Sequence, residues 1–246
     1  MKQPVCFSTG NFYVKGKKRD LDKEISNSLK LDVEGIELLD GTVTSFMKFR
    51  LSKSNKKKLK KLKYNTIHVP FRWKDNSKRH FIVYNTKECR KVLDRLEKLY
   101  KEIGAININF HYYQLKNIKV LDDYDFNYSV ENLEKHHHIK LKSYKDMLNK
   151  NKNLPFLFDV SHAMECGNFD KLLNSVKDRI KYVHIHIMHN GELHRLLHLV
   201  DNKTLSKISK LKKLNVVFII EGGIEEEGNM KIFKDEIKFV RKWLNS

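Results

Sequence analysis

The sequence predicts an α/β protein whose parallel strands close into a (β/α)8 barrel, a TIM barrel, on three observations. Short β-rich runs alternate with amphipathic stretches along the whole chain, and eight of them fit into 246 residues, the size of one such barrel. No Pro-, Gly- or Ser-rich linker interrupts the alternation, so one domain over residues 1–246 is expected. A doubly wound open sheet is the alternative, but no GxGxxG or GxxxxGK turn follows any strand.

The strand candidates, in order, are residues 5–9, 35–39, 66–70, 106–111, 126–131, 155–160, 182–187 and 216–221. Each is rich in Val, Ile, Phe or Tyr and short enough for a buried parallel strand. Helical spacing of apolar residues connects most of them, as in Val92, Leu93, Leu96 and Tyr100, or Ile232, Ile237, Val240 and Leu244. Between His111 and Phe126 there is room only for a short helix, near residues 114–121. The polar stretch from Arg72 to His80 reads as an active-site loop, and the lysine-rich run 56–63 as the solvated face of a short helix.

Composition narrows the function classes. Hydrophobic residues at 40% and aromatics at 11% supply a normal core and exclude a disordered chain. No apolar run approaches the ~20 residues that cross a bilayer. The first residues lack the apolar core of a secretion signal, and three widely spaced cysteines suit a reducing compartment, so a cytoplasmic location is expected. Forty-nine Lys and Arg against 30 Asp and Glu give a net charge of +19, which attracts polyanions. The lysines are spread along helices rather than interleaved with Arg and aromatics, so the charge alone does not specify nucleic acid.

In barrels of this kind, reacting groups sit at the carboxyl ends of strands. Those ends carry Glu37, His68, His111, Glu131, Asp159 with His162, His184 with His186, and Glu221. His189, Glu192 and His194 follow the seventh strand closely. Each alone has an ordinary explanation as a hydrogen-bonded histidine or a helix N-terminal carboxylate. Together, carboxylates converging on one mouth would repel each other unless divalent cations sat among them. Mixed imidazole and carboxylate donors favour zinc, with manganese second. His184 and His186 are two apart and face one side of their strand, so either can be the ligand. Glu192 and His194 are likewise two apart, and a short extended segment would present both to one ion. His136, His137 and His138 fall outside the strand pattern and read as a solvated loop or helix start.

These residues resemble a known group. The motifs GIEL (35–38), IHVPF (67–71), NFH ending at His111, VEN (130–132), FDVSHA (158–163), HIHIMHNGELH (184–194) and EGG (221–223) resemble those of the xylose-isomerase-like barrels. That superfamily includes endonuclease IV and sugar and sugar-phosphate isomerases and epimerases. The endonuclease IV pattern implies up to three zinc ions. His68 and His111 would hold a first, bridged by Glu131 to a second completed by Asp159, His186 and Glu221. His162, Glu192 and His194 would hold a third. His186 is expected over His184 because its spacing to Asn190 and Gly191 fits the family's loop better. The isomerases need mainly Glu131, Asp159, His186 and Glu221. Two departures stand out: Glu192-Leu193-His194 replaces Asp-x-His, and His111-Tyr112-Tyr113 replaces His-Pro-Gly.

The resemblance implies a metal-dependent phosphoester hydrolase acting on a nucleic-acid or nucleotide-like phosphodiester. The alternative is a metal-dependent sugar or sugar-phosphate isomerase or epimerase, in which Glu131 and Glu221 move protons at carbon. A non-catalytic basic barrel that binds RNA or a partner is the third reading. Arg72, Lys74 or Arg195 would hold a second phosphate, and Tyr112, with Tyr113, Phe71 or Trp73, would stack on a base or sugar.

Overall fold

The computed structural model describes residues 3–14, 19–75, 77–222 and 230–246. Eight parallel strands close into a barrel: β1 (Val5–Ser8), β2 (Gly35–Leu39), β3 (Thr66–His68), β4 (Asn107–His111), β5 (Tyr128–Glu131), β6 (Phe156–Asp159), β7 (Ile180–His184) and β10 (Val217–Ile220). Between β7 and β10 the chain inserts a small antiparallel hairpin, β8 (Ile187–His189) and β9 (Glu192–Arg195). Helices α1 (Leu21–Ser28), α2 (Val43–Lys48), α3 (Lys53–Leu59), α4 (Lys87–Ile103), α5 (Leu141–Lys150), α6 (Val160–Glu165), α7 (Phe169–Val176), α8 (Asn202–Lys207) and α9 (Met230–Leu244) fill the crossovers. In place of the short helix expected near residues 114–121, the crossover from β4 to β5 is two 3-10 turns, Tyr112–Gln114 and Ile118–Asp123. None of the described helices is long and apolar enough to cross a membrane.

Side-chain parity explains what faces inward. In β1, Val5 and Phe7 join the large core beneath the helices, whereas Cys6 packs with Leu157, Tyr182, Val217 and Ile219 in a separate inner cluster. Alternate residues of a strand share a face, so the inward set of β6 and β7 continues as Asp159 and His184. The barrel floor is thus apolar and its upper layers are polar. Glu37 meets Thr66 (3.4 Å), Asn107 meets Ser129 (2.7 Å), Ser129 meets Asn109 (3.2 Å), and Asn109 donates to Glu131.

The helices hold this layer in place. α4 buries Val92, Leu93, Leu96, Leu99 and Ile103 along one stripe, and Thr86 caps it by accepting from the Cys89 amide. α6 starts where β6 ends: Asp159 is its cap, accepting the His162 amide at 2.8 Å. That link ties His162 to the strand end one turn earlier.

The seventh strand differs from expectation. It runs Ile180–His184 rather than 182–187, with Tyr182 paired to Leu157 and His184 to Asp159. The Ile185 amide still donates to the Ile219 carbonyl at 2.8 Å, and the chain then leaves the barrel for the hairpin. Asn190 and Gly191 make its two-residue turn at φ 52° and 81°, the positive values that such hairpins need and that glycine adopts without strain.

Candidate metal centre

His68, His111 and Glu131 form the first group. His68 Nε2 lies 3.3 Å and His111 Nε2 3.6 Å from Glu131 Oε2, with the two imidazoles at 4.8 Å and 80°. His68 Nδ1 sits 2.9 Å from the Val69 carbonyl, which makes Nδ1 a donor and leaves Nε2, turned to Glu131, as the atom that a cation would take in place of a proton. Strand register produces the contact, because His111 of β4 pairs directly with Glu131 of β5.

Asp159, His184, His186 and Glu221 form the second group. His184 Nδ1 is 2.7 Å from Glu221 Oε2, 3.2 Å from Glu131 Oε1 and 3.6 Å from Asp159 Oδ2. Its Nε2 rests on Glu37 at 3.2 Å, so a carboxylate below orients the ring toward three carboxylates above. His186 Nε2 meets Asp159 Oδ2 at 2.7 Å, and its buried Nδ1 has no hydrogen-bond partner among the described residues.

A third group joins Glu131 and Asp159 to His162. His162 Nδ1 is 3.0 Å from the Asn132 carbonyl, while its buried Nε2 faces Glu134 Oε1 at 3.5 Å.

The electrostatics follow from burial against charge. Burial would raise the carboxyl of Glu131, yet His184, His68 and His111 hold it well below the ordinary range. Asp159 is likewise raised by burial but held low by His162, His186 and His184. Burial would neutralise His68 and His162, but their carboxylate neighbours push each up to about 9. His184 is raised well above its ordinary value by Glu221, Glu37 and Glu131 in spite of burial. His111 is pushed down by burial, and His194 falls to about 3 from burial and the neighbouring imidazoles.

This donor set fits divalent ions. Buried carboxylates that hold protons on three imidazoles demand positive charge, and a cation can replace those protons. Tetrahedral bonds of about 2.0–2.2 Å place ligand atoms roughly 3.3–3.6 Å apart. Glu131 stands at 3.3 Å from His68 and 3.6 Å from His111, within that spacing.

The remaining expected residues scatter. His186 and His194 stack at 4.5 Å, and His162 lies 5.4 Å from His194, so three imidazoles converge. Glu192 does not join them: it is exposed and pairs with Arg195 at 3.2 Å. The extended segment expected to aim Glu192 and His194 together is broken by φ 58° at His194, which rotates the imidazole away from strand alternation. Tyr112 packs edge-on against Tyr144 of α5 at 5.0 Å, while Tyr113 turns its hydroxyl to 3.4 Å from His111 Nδ1. Arg72 is exposed on the loop after β3, its backbone bridged to Thr42 and His80. Gly222 of the EGG motif abuts the hairpin, since a Cβ there would fall 2.3 Å from Leu196 Cδ2. Gly223 lies outside the described residues.

Two carboxylates outside the expected ligand set stand against it: Glu37, which holds His184 from below, and Glu134, which faces His162. The inward parity of Glu37 within GIELL was a usable signal, since it shares that parity with Gly35 opposite Cys6. Glu134 had none, because a loop carries it.

No family model matches the sequence, and no curated protein matches it. Solved structures do. Endonuclease IV from Thermus thermophilus superposes with TM-score 0.63 at 14% identity, covering 98% of this chain and 99% of that one. 3-Keto-D-glucoside 4-epimerase from E. coli gives 0.65 at 15%, covering 98% and 100%. A Thermus thermophilus protein soaked with zinc chloride gives 0.60 at 14%, covering 99% and 98%. The chain therefore shares the closed (β/α)8 barrel fold of these structures, an endonuclease and an epimerase among them.

Proposed function

We propose that this barrel is a metal-dependent phosphoester hydrolase acting on a nucleic-acid or nucleotide-like phosphodiester. The carrying observation is that Glu131 belongs to two of three adjoining ligand-type groups, which share Glu131 and Asp159 and hold five imidazoles, with His194 stacked beside His186 as a sixth. A single-ion site has no use for so many donors. His68, His111 and Glu131 would hold one ion; Glu131, Asp159, His184 or His186, and Glu221 a second; His162 with His194 a third. Zinc, or manganese second, supplies Lewis acidity and makes bound water acidic near neutral pH.

The chain's own residues do the rest. Glu221 is 16% exposed whereas Glu37, Glu131 and Asp159 are closed off, so proton exchange with substrate or water falls first to Glu221. Its ion pair with His184 at 2.7 Å holds Oε2 in place, and Glu131 serves as the inner proton acceptor. Arg72 and Arg195 would hold a second phosphate. Tyr113, rather than Tyr112, is the tyrosine turned to the mouth.

A second reading, a sugar or sugar-phosphate isomerase or epimerase, has one observation in its favour. Glu131 and Glu221, from strands far apart in the sequence, both reach His184 Nδ1 and so flank one point. The test is protein reconstituted with zinc or manganese, assayed on bis(p-nitrophenyl) phosphate, an abasic-site duplex and ketohexoses in D2O. Metal-dependent diester cleavage supports the hydrolase. Deuterium exchange at a sugar carbon without cleavage moves the assignment to the second reading.

A further inference from the structure

Another set of ligand-type side chains gathers above the mouth. After β5 the chain runs Glu134-Lys135-His136-His137-His138, makes one 3-10 turn over Lys135–His137 and reverses at His138 with φ 53°. The turn brings Glu134, His136 and His137 together, one ligand atom of each within 4.8 Å of the others. Glu134 Oε2 lies 3.5 Å from His137 Nε2, and the two imidazole rings are 4.1 Å apart. That oxygen is buried with no hydrogen-bond partner among the described residues, as is His80 Nδ1 nearby. The His137 ring is held by stacking on Tyr113 at 5.0 Å and 18°, with His80 at 6.2 Å.

A spacing of 3.5 Å is too long for a charge-assisted hydrogen bond, which closes to about 2.7–2.9 Å. It is the spacing of two ligands on one tetrahedral ion with bonds of about 2.0–2.2 Å. Two imidazoles and a carboxylate form a donor set that selects zinc-class ions over magnesium or calcium and leaves a fourth position open. A run of adjacent histidines on a merely solvated loop would have no reason to turn toward a buried carboxylate oxygen.

We propose that Glu134, His136 and His137 form a rim site for one zinc-class divalent ion, separate from the barrel mouth. His136 is exposed, so the ion enters from solvent. Glu134 Oε1 stands 3.5 Å from His162 Nε2, so a filled rim site pins the loop that backs His162. The site goes beyond the proposed activity and stands whichever reaction the mouth performs.

The test uses metal-stripped protein without a histidine tag, titrated with zinc chloride. Zinc equivalents and the side-chain nitrogen resonances of the histidines are the readouts. The parent is expected to bind about one equivalent more than His136→Ala with His137→Ala, and to shift the ring nitrogens of both residues. His136→Ala alone, at an exposed position, guards against misfolding and should weaken the same class of site about tenfold or more. His138→Ala should bind like the parent. Glu131→Gln with Asp159→Asn should lose mouth ions but keep the rim equivalent. Unchanged stoichiometry and affinity in the double alanine variant, or unmoved His136 and His137 nitrogens in the parent, would overturn the site.

Discussion

Replacing His184 should hurt far more than replacing His186, and the contacts set the size of the difference. His184 is fully buried and touches Glu37, Glu131, Asp159 and Glu221 at 2.7–3.6 Å. His184→Ala leaves Glu37 without its charged partner and takes one of the positive charges from Glu131. Breaking a buried ion pair from one side costs about 3–5 kcal/mol. His186 contributes one charge-assisted hydrogen bond, at 2.7 Å to Asp159, worth about 1.5–3 kcal/mol. Urea unfolding in excess chelator, at pH 7, measures both against the parent. Zinc titration of the same proteins should show roughly a hundredfold or greater loss of affinity for His184→Ala and a smaller loss for His186→Ala. Adding Glu37→Gln to His184→Ala should restore part of the stability, because the orphaned charge is removed. If His186→Ala proves the more damaging on both readouts, His184 is not the inner ligand and the register reasoning fails.

Further expectations rest on other contacts of the site and its surroundings. His68 and His162 have folded values of about 9 against an ordinary 6.5, so the stability they lend metal-free protein is complete below 6.5 and lost as pH rises through about 9. Zinc affinity should strengthen across that same window as protons leave, with proton release visible by calorimetry in buffers of different ionisation enthalpy. Glu192→Ala should change neither zinc stoichiometry nor stability by more than about 0.5 kcal/mol, since its contact with Arg195 is a surface pair; loss of an ion would return Glu192 to the site. Gly222→Ala should destabilise by about 1–3 kcal/mol, because its Cβ would meet buried Leu196 at 2.3 Å, and a neutral result would mean that the hairpin gives way freely.

The sequence by itself determined the eight strands, their parallel alternation with helices and the kinds of side chain that end each strand. These are local properties: apolar runs, helical spacing, and inward parity that repeats every second residue. His68, His111, Glu131, Asp159, His162 and Glu221 stand out as candidates on those grounds, and the fold gathers them into clusters of ligand-type side chains. What only the tertiary structure decided is which groups share a level. His184 and His186 have the same parity, so nothing local separates them. The pairing of β7 with β6 sets His184 beside Asp159, and the stagger of a closed barrel is a property of all its strands together. The parting of His194 from Glu192 turned on φ 58° at His194, and the aim of Tyr112 on the packing place beside Tyr144, both created by the tertiary fold. Glu134 reached His162 and His137 only because a loop folded back across the mouth, and loop paths carry no periodicity to read.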